Sequence, residues 1–525
     1  MLEVRAYNIN NTILSVTPLN NEEIDVLNNY GISNYITFDG LGVNLLDESK
    51  KFYEETDYKG LRSLLSNENK DIDGYDGGVE ILFGVNHTAE LPITLIFSND
   101  NCTELRIEHT TATGGMKGYT QKVNGNIVTL YLDTTPYRWL IYPTKTKNEQ
   151  ERVTLESVID GTVNNFNKFK SHNLIEEINI LSDDLPINQF QATFINPEHL
   201  PLGKKTPLTL LSNGKYFGTF YITNSKKSNR NLYDITAQNE IGLLNGEEYI
   251  DWKSTNISLL DFTSQLSSNI ILEDETKYNI FGYIPVETKR FALCAACFGC
   301  GLMINNSRSN NIILQKIPTE ISSVILTKDR RIIGDATLEL TEPIISASIS
   351  FPNDVDFSET GSVTLSGEAD MGHIHFFEDA PVLIYENSGN VIYYGESDNY
   401  VEYKAKNENI TFSYYKYKYL TNVEIVENLL ETEGKTKEYK NFQIRGGIVG
   451  NDGYITRISR SEDVLKYIQS RGRVNAKIRL RGEKVGDLIQ IETAWDGIIT
   501  GIITKMDLTF GYEDIANIEV LEWSL

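Results

Sequence analysis

The stretch Ser182–Tyr249 decides the fold: it begins SDDLPINQFQATFINPEHLPLGKKTPLTLL (182–211), continues NGKYFGTFYITNSKK (213–227) and closes NLYDITAQNEIGLLNGEEY (231–249). Apolar and polar residues alternate in four short runs within it, a pattern typical of half-buried strands. Asn213-Gly214 separates two of these runs and predicts a tight hairpin, because a type I′ turn needs positive φ at both central residues. Four strands joined by tight turns, without an intervening helix, predict a small antiparallel barrel or sandwich.

The order of these features resembles the first barrel of phage tail hub proteins. In that family an "SDxLPIN" segment opens a strand, "LxLxxxGxYxGTFYI" follows, and "YxITAxNxIGLL" leads into a helical segment. The matching residues are Asp183, Leu185, Pro186, Ile187, Asn188, Tyr216, Gly218, Thr219, Phe220, Tyr221, Ile235, Thr236 and Ala237. Small barrels serve many unrelated functions, so the later segments of the chain add weight to the resemblance.

A helix of small residues from Thr288 to Gly301 provides the most specific match. Thr288 predicts its N-cap and the glycines at its end predict its C-terminus. Tail hub proteins carry a similar "TxRxAL…AxxxGC" helix followed by a turn "NSRxxNI". The residues that match are Thr288, Arg290, Ala292, Leu293, Gly299, Arg308, Asn311 and Ile312.

The C-terminal segment resembles the closing strands of the same family, written "GDxVxIxT" and "GxITxMDxxF". Matching residues are Gly486, Asp487, Ile491, Thr493, Gly501, Ile503, Thr504, Met506, Asp507 and Phe510, with Ile489 in place of the family's Val. Two further helices are predicted, one over Asn256–Ser268 capped by Ser254 or Thr255, and one that Ser461-Glu462-Asp463 begins, with its acids at the positive end. The resemblance covers the chain from about Glu151 to its end.

The first 165 residues contain closely spaced alternating runs, which predict a β-sandwich. Val123-Asn124-Gly125-Asn126-Ile127 predicts another hairpin within it. We therefore expect a mainly β protein with a minor α+β part: an N-terminal sandwich followed by two small hub-type barrels with inserted helices. The predicted regions are 1–165 (sandwich), 166–250 (first barrel), 251–330 (α/β insert), 331–420 (second barrel) and 421–525 (α+β).

Length and composition fit a globular chain of roughly three to four domains. The 525 residues include 29 Tyr and 21 Phe against 4 Trp, which suits pleated sheets. A net charge of −25 argues against nucleic-acid binding, because phosphates need clustered Lys and Arg. No apolar run is long enough to span a membrane, and the N-terminus is too polar for a secretory signal, so we expect synthesis in a reducing cytosol.

Two patterns admit a metal reading. Cys294, Cys297 and Cys300 have spacing similar to part of an iron–sulfur or zinc site, but a fourth ligand at usable spacing is missing, and we favour packing of small residues. His373 and His375 would share one face of a strand and could offer two ligands; a solvated strand is the plainer interpretation. We therefore expect no cofactor.

Hydrolase motifs such as HExxH and GxSxG do not occur in the sequence, so we expect no enzyme activity. A tail-associated cell-wall hydrolase remains the least favoured alternative.

One dense basic patch occurs in this acidic chain. It consists of Arg471, Arg473, Lys477, Arg479, Arg481 and Lys484. Two interpretations stay open and equal: a solvated strand face, and a contact in which these cations pair with acids of a neighbouring copy.

The resemblance implies a structural role in a phage or a phage-tail-like bacteriocin, assembled in the bacterial cytoplasm and, by its looser N-terminal match, in a Gram-positive host. Hubs of that family are homotrimers whose two barrels per chain form a ring between the tail tube, or its distal initiator, and a central spike. Tape-measure and baseplate wedge proteins are further expected partners. If acids line the channel, passing DNA would be repelled and would slide without sticking; a neutral or positive inner wall would contradict this hypothesis.

An alternative is that residues 1–165 bind host cell-surface glycan, with the hub as their mount. Glycan sites favour exposed aromatic rings. Tyr137, Trp139 and Tyr142 lie on one short run and are the candidate contacts.

Overall fold

The computed structural model describes residues 2–9, 13–19, 35–37, 61–63, 66–72, 74–75, 77–83, 90–97, 100–110, 115–133, 138–151, 153–195, 202–249, 257–282, 287–322, 325–332, 334, 336–365, 372–375, 382–388, 392–397, 400–404, 410–440, 444–451 and 453–523; from 352 to 421 only the backbone is described. The chain divides into two compact units, Arg5–Asn165 and Met1–Val4 together with Phe166–Leu525. The described residues are mostly strands with few helices, which confirms the predicted mainly β fold.

The unit Arg5–Asn165 is a two-sheet structure. Its strands, the first and last of which extend slightly past its limits, are β1 (Leu2–Ile9), β2 (Ile13–Pro18), β3 (Tyr35–Thr37), β4 (Leu61–Arg62), β5 (Val79–Phe83), β6 (Glu90–Phe97), β7 (Cys102–Thr110), β8 (Met116–Lys122), β9 (Ile127–Asp133), β10 (Arg138–Thr146) and β11 (Thr154–Phe166). One sheet has the order β2-β5-β10-β7-β8, and in the other β6 pairs with β9 and β11. Buried side chains such as Ile81, Ile141 and Leu95 from both sheets share one core, the arrangement of a sandwich.

The hairpin predicted at Asn124-Gly125 is wrong. Strand β8 pairs with β7, whereas β9 pairs with β6 in the other sheet. Gly125 does adopt a positive φ of 94°, so the turn exists, but it carries the chain from one sheet to the other.

The larger unit begins with a long antiparallel sheet. The first strands of this unit are β12 (Phe169–Glu177), β13 (Gln189–Ile195), β14 (Pro207–Ser212), β15 (Lys215–Lys227), β16 (Leu232–Gln238), β17 (Glu248–Tyr249), β18 (Ile257–Ser258), β19 (Ile270–Leu272), β20 (Tyr278–Gly282), β21 (Glu287–Thr288), β22 (Leu302–Asn305), β23 (Ile312–Lys316), β24 (Ile325–Leu326) and β25 (Thr337–Leu340). The remaining strands are β26 (Ile344–Leu365), β27 (Gly372–His375), β28 (Val382–Ser388), β29 (Ile392–Ser397), β30 (Tyr400–Lys404), β31 (Ile410–Glu427), β32 (Lys435–Lys440), β33 (Ile444–Val449), β34 (Ile455–Arg457), β35 (Gly472–Arg479), β36 (Leu488–Glu492), β37 (Ile498–Thr509) and β38 (Ile515–Glu522).

The sheet predicted from Ser182–Tyr249 extends beyond that segment. Strands β14, β15, β16, β13 and β12 are neighbours in this order, and β12 continues the sheet into β37. Strand β37 also pairs with β36 and β38, and β38 leads through β35 to β25. The predicted hairpin at Asn213-Gly214 is confirmed, since it joins β14 to β15 with φ values of 51° and 77°.

Three helices pack with small sheets into a second core. They are α1 (Glu240–Leu244), α2 (Leu259–Leu266) and α3 (Lys289–Cys300). The predicted cap of α3 is confirmed, because Thr288 accepts a hydrogen bond from the Phe291 N–H and Gly301 ends the helix with a φ of 69°. Helix α2 begins later than predicted, after Ser258; the proposed caps Ser254 and Thr255 lie outside the described residues.

Helix α4 (Ser461–Gln469) covers the sheet β28-β31-β26-β32. Its N-cap is Arg460, which corrects the expectation for Ser461, whose hydroxyl instead donates to Glu424. The predicted acids Glu462 and Asp463 lie in the first turn of the helix. A separate three-stranded sheet has the order β27-β30-β29, and a short 3-10 helix spans Lys328–Arg330.

Strand β33 lies directly on the end of α3, so we predict that Gly446→Ala destabilises the protein. A Cβ at position 446 would lie 2.5 Å from the carbonyl oxygen of Gly299, and the backbone cannot move without opening the core. We expect a loss of about 1–3 kcal/mol in the free energy of unfolding, measured by urea denaturation. Gly203→Ala is the control, because its Cβ would meet nothing closer than 3.9 Å. Equal stability of the two variants would contradict this packing.

Candidate functional site

Segment 181–188, which joins β12 to β13 and contains the "SDxLPIN" residues, is held by side chains from several distant parts of the chain. Ser182 has a positive φ of 55° and is buried. Its hydroxyl donates to the Leu302 carbonyl over 2.9 Å, and its own carbonyl accepts from the Cys294 thiol over 2.9 Å. Asn188 is buried and accepts from the Glu177 N–H over 2.9 Å. This segment, which we call the junction, therefore lies under the start of β22 and against α3.

Arg290 on α3 binds the junction from one side. Its Nε donates to the Leu185 carbonyl over 2.8 Å, and its Nη2 contacts the Asp184 carboxylate at 2.8 Å. Two of the sequence patterns, "TxRxAL" and "SDxLPIN", thus meet in one set of charge-assisted hydrogen bonds.

Arg460 binds the junction from the other side. Its Nη2 donates to the Leu181 carbonyl over 2.6 Å, and its Nη1 pairs with Asp463 at 2.5 Å. Burial lowers the pKa of the Arg460 guanidinium, and the charge of Asp463 counteracts that shift. The guanidinium also lies over the Phe298 ring, 5.2 Å from its centroid. Arg460 was not singled out from the sequence, because a single arginine between polar residues carries no local pattern.

Arg308, the arginine of the "SRxxNI" turn, adopts a positive φ of 52° and forms a buried ion pair with Glu176 of β12 at 3.3 Å. Ser307 donates to the same carboxylate over 2.7 Å. The Glu176 side chain is 1% exposed, and these two neighbours provide polar contacts that offset its burial. The turn thereby fixes the insert to the main sheet.

The "GDxVxIxT" segment reaches the same region. Asn305, at the end of β22, donates its amide to the Val485 carbonyl over 2.9 Å. Next to it Gly486 has a φ of 90°, and a Cβ there would lie 2.8 Å from the Asn305 amide nitrogen. Four segments that carry the family resemblance are therefore connected, directly or through one neighbour.

The cysteines are packed inside the protein. Cys294, Cys297 and Cys300 belong to the core that surrounds α3. Burial raises the pKa of the Cys300 thiol to about 12, and raises the pKa values of Cys294 and Cys297 as well. In the part of the chain that the structure describes, no group of three or more His, Cys, Asp or Glu side chains is placed to hold a metal ion.

His373 and His375 lie on β27, two positions apart and therefore on one face of the strand. Their side chains lie outside the described residues, so the metal reading stays a prediction. No helix among the described residues is long and apolar enough to cross a membrane.

The basic patch divides into two parts. Arg471 pairs with Glu431 at 2.5 Å and Arg473 lies 3.7 Å from Glu519, both within the chain. Arg479, half-exposed, pairs with Glu513 at 3.2 Å. Lys477, Arg481 and Lys484 are exposed. The contact with a neighbouring copy therefore remains a prediction for the exposed end of the patch.

The proposed glycan platform needs a correction. Trp139 is 4% exposed and packs against His109 in the sandwich core, so its ring cannot receive a ligand. Tyr137 lies outside the described residues. Tyr142, three positions from Trp139, faces the opposite way and packs edge-on against Tyr75, with ring centroids 4.7 Å apart. Partial burial and the charge of Glu108 raise the pKa of Tyr142.

Sequence reasoning missed a group of exposed apolar residues: Val423, Ile425, Leu429 and Leu430. Alternation in TNVEIVENLL (421–430) could have indicated two faces of a strand, but not which face the core occupies.

No protein-family model and no curated protein matches this chain. Solved structures that it resembles include a tail protein from Neisseria meningitidis (TM-score 0.43, 9% identity, 69% of this chain and 94% of that chain). Others are a prophage tail protein from Shewanella oneidensis (0.40, 8%, 69% and 96%) and one from Listeria monocytogenes (0.37, 8%, 68% and 91%).

We predict that Arg308→Ala destabilises the larger unit by about 3–5 kcal/mol, because it leaves the Glu176 carboxylate buried without its cation. Urea denaturation followed by near-UV circular dichroism measures the loss. Adding Glu176→Gln to this variant should recover part of it, since the uncompensated charge disappears. Arg479→Ala, which removes an exposed ion pair, is the matched control and should change stability by less than about 1 kcal/mol. A similar small effect of Arg308→Ala would disprove the role of this pair.

Proposed function

We propose that this protein is a structural component of a phage tail or phage-tail-like particle. Within it, the chain is the hub of the baseplate or tail tip, a homotrimeric ring between the tail tube and the central spike. The observation that supports this best is that the motif segments are bound to one another and to the main sheet. Arg290 binds the "SDxLPIN" segment, Arg308 binds β12, and Asn305 binds the segment before Gly486.

These contacts give three residues of the resemblance a structural role. Arg290, Arg308 and Gly486 each sit where one segment is fixed to another, rather than on an open surface. These contacts connect the long sheet, the α/β insert and helix α4, and this connection supports the proposal.

A ring also suits the exposed strands of this unit. All four residues of β25 are exposed, as are the three of β34. Exposed strands offer main-chain donors and acceptors to other chains, and a closed assembly covers such edges. Expected partners are the tube or its distal initiator and the spike, with tape-measure and wedge proteins as further contacts.

We predict that particles from producing cells contain this chain at the tail tip and that cells lacking it make no complete tails. Electron microscopy of particle preparations, with antibody labelling of the chain, measures both. Purified protein should have a mass of three times 59.5 kDa in solution. Complementation with the Gly203→Ala variant is the control for expression. Complete tails made without the chain would disprove the structural role.

A second candidate function, glycan binding by the Arg5–Asn165 unit, is favoured by the pair of Tyr75, which is exposed, and Tyr142, which is half-buried. Tyr75 is 44% exposed, and Arg106 holds the Glu108 carboxylate at 3.0 Å beside Tyr142. An aromatic ring beside a fixed charge can stack on a sugar and bind its hydroxyls.

For this second function we predict that the full chain is retained by host cell walls and that Tyr75→Ala with Tyr142→Ala lowers retention at least about tenfold. A cosedimentation assay measures it. Tyr131→Ala, at an exposed tyrosine of the other sheet, is the control. Failure of wild-type protein to sediment leaves the unit with a scaffolding role.

A further inference from the structure

Four apolar side chains project from one short segment of the larger unit. They are Val423, Ile425, Leu429 and Leu430, exposed by 57%, 71%, 86% and 75%. Scattered exposed apolar residues are normal on a protein, but a contiguous group marks an interaction site. We call this group the 423–430 surface.

The 423–430 surface is ordered by buried polar contacts. Asn428 is 2% exposed; its N–H donates to the Ile345 carbonyl over 2.8 Å, and its side-chain amide donates to the Ile344 carbonyl over 2.9 Å. Its amide oxygen accepts from the Leu430 N–H over 3.2 Å. The two leucines are therefore presented by a fixed turn.

Strand alternation directs the rest of the surface outward. Val426 belongs to the core under α4, and its neighbours Ile425 and Glu427 project to the opposite side. Ser348 on β26 is paired with Ile425 on one side and with Glu438 of β32 on the other. Glu427, Glu433 and Glu438 are exposed, so acids border the apolar side chains.

A partner for this surface must combine positive charge with an accessible face. In the part of the chain that the structure describes, the exposed end of the basic patch offers both; it comprises Lys477, Arg479, Arg481 and Lys484, and we call it the basic strip. Arg471, which pairs with Glu431 beside the 423–430 surface, is six residues from Lys477. At about 3.3 Å per residue of strand, the strip begins about 20 Å from that surface.

We propose that the 423–430 surface of one copy binds the basic strip of a second copy. Because the two surfaces are different and lie apart on the chain, the contact between copies is head-to-tail. Repeating this contact forms a closed ring when the rotation between neighbouring copies allows closure. The inference rests on the proposed ring function and names the surfaces that join its copies. The bordering acids and the strip cations provide the charge complementarity that orients the contact.

Charge reversal tests this contact in the full chain. Lys477→Glu with Arg481→Glu and Lys484→Glu should raise the dissociation constant of self-association at least about tenfold, measured by analytical ultracentrifugation. Glu427→Lys with Glu433→Lys and Glu438→Lys should do the same. Combining all six changes in one chain should restore association, because each reversed surface then meets a reversed partner.

Mixing the two triple variants gives a sharper outcome. Each reversed surface finds a complementary partner only on the other variant, so the mixture should form heterodimers but no complete trimers, because a ring of three cannot alternate two variants. A triple variant in which Lys204, Lys215 and Lys226 become Glu changes the net charge equally at exposed positions elsewhere and should associate as wild type does.

A separate experiment tests the apolar side chains of the 423–430 surface. Ile425→Ser with Leu430→Ser should weaken association by about 10- to 100-fold per residue, because each loses a buried side chain in the contact. Leu260→Ser, at an exposed leucine of α2, is the control.

A wild-type chain that stays monomeric, or variants that associate unchanged, would overturn the proposal. Unchanged association together with normal tails would overturn this interface and leave the hub function standing, whereas tails complete without the chain would remove the function itself.

Discussion

The packing of the larger unit depends on the hydrogen bonds that side chains make to the backbone carbonyls of the junction. Residues 181–188 are neither helix nor strand, yet much of this segment is buried, and buried carbonyls that lose water need other donors. Arg460 supplies a donor to Leu181, the Cys294 thiol one to Ser182, and Arg290 one to Leu185. Two of these donors belong to α3 and the third immediately precedes α4, so the backbone of the junction has its hydrogen-bond donors only when both helices are in place.

Local sequence rules correctly predicted turns and helix caps where a short segment determines its own conformation. Asn213-Gly214 has the positive φ values that its hairpin requires, and Thr288 and Gly301 cap α3 because the needed groups are adjacent in sequence. The pattern residues Arg290 and Arg308 also have a structural explanation, because each guanidinium binds a carboxylate of a distant segment.

Non-local pairing is what the sequence did not reveal. Strand β12 joins β37, more than 300 residues away, and nothing in either strand identifies its partner. The turn at Gly125 has hairpin residues but changes sheets, since a turn fixes local direction and not the strand that follows. The prediction that Trp139 is exposed was wrong for a similar reason. Strand alternation places Trp139 and Tyr142 on opposite faces of β10, but only the position of the other sheet decides which of these faces is buried.

The arginines and lysines of the larger unit fall into two energetic classes. Arg308 pairs with the buried Glu176, and the buried Arg460 donates to the Leu181 carbonyl, so removing either arginine leaves an uncompensated group inside the protein. Lys477, Arg481 and Lys484 are exposed, where an ion pair contributes at most about 1 kcal/mol to folding. Reversing the exposed charges therefore leaves the monomer nearly as stable as before. A loss of association in those variants must then come from the contact between copies and not from unfolding.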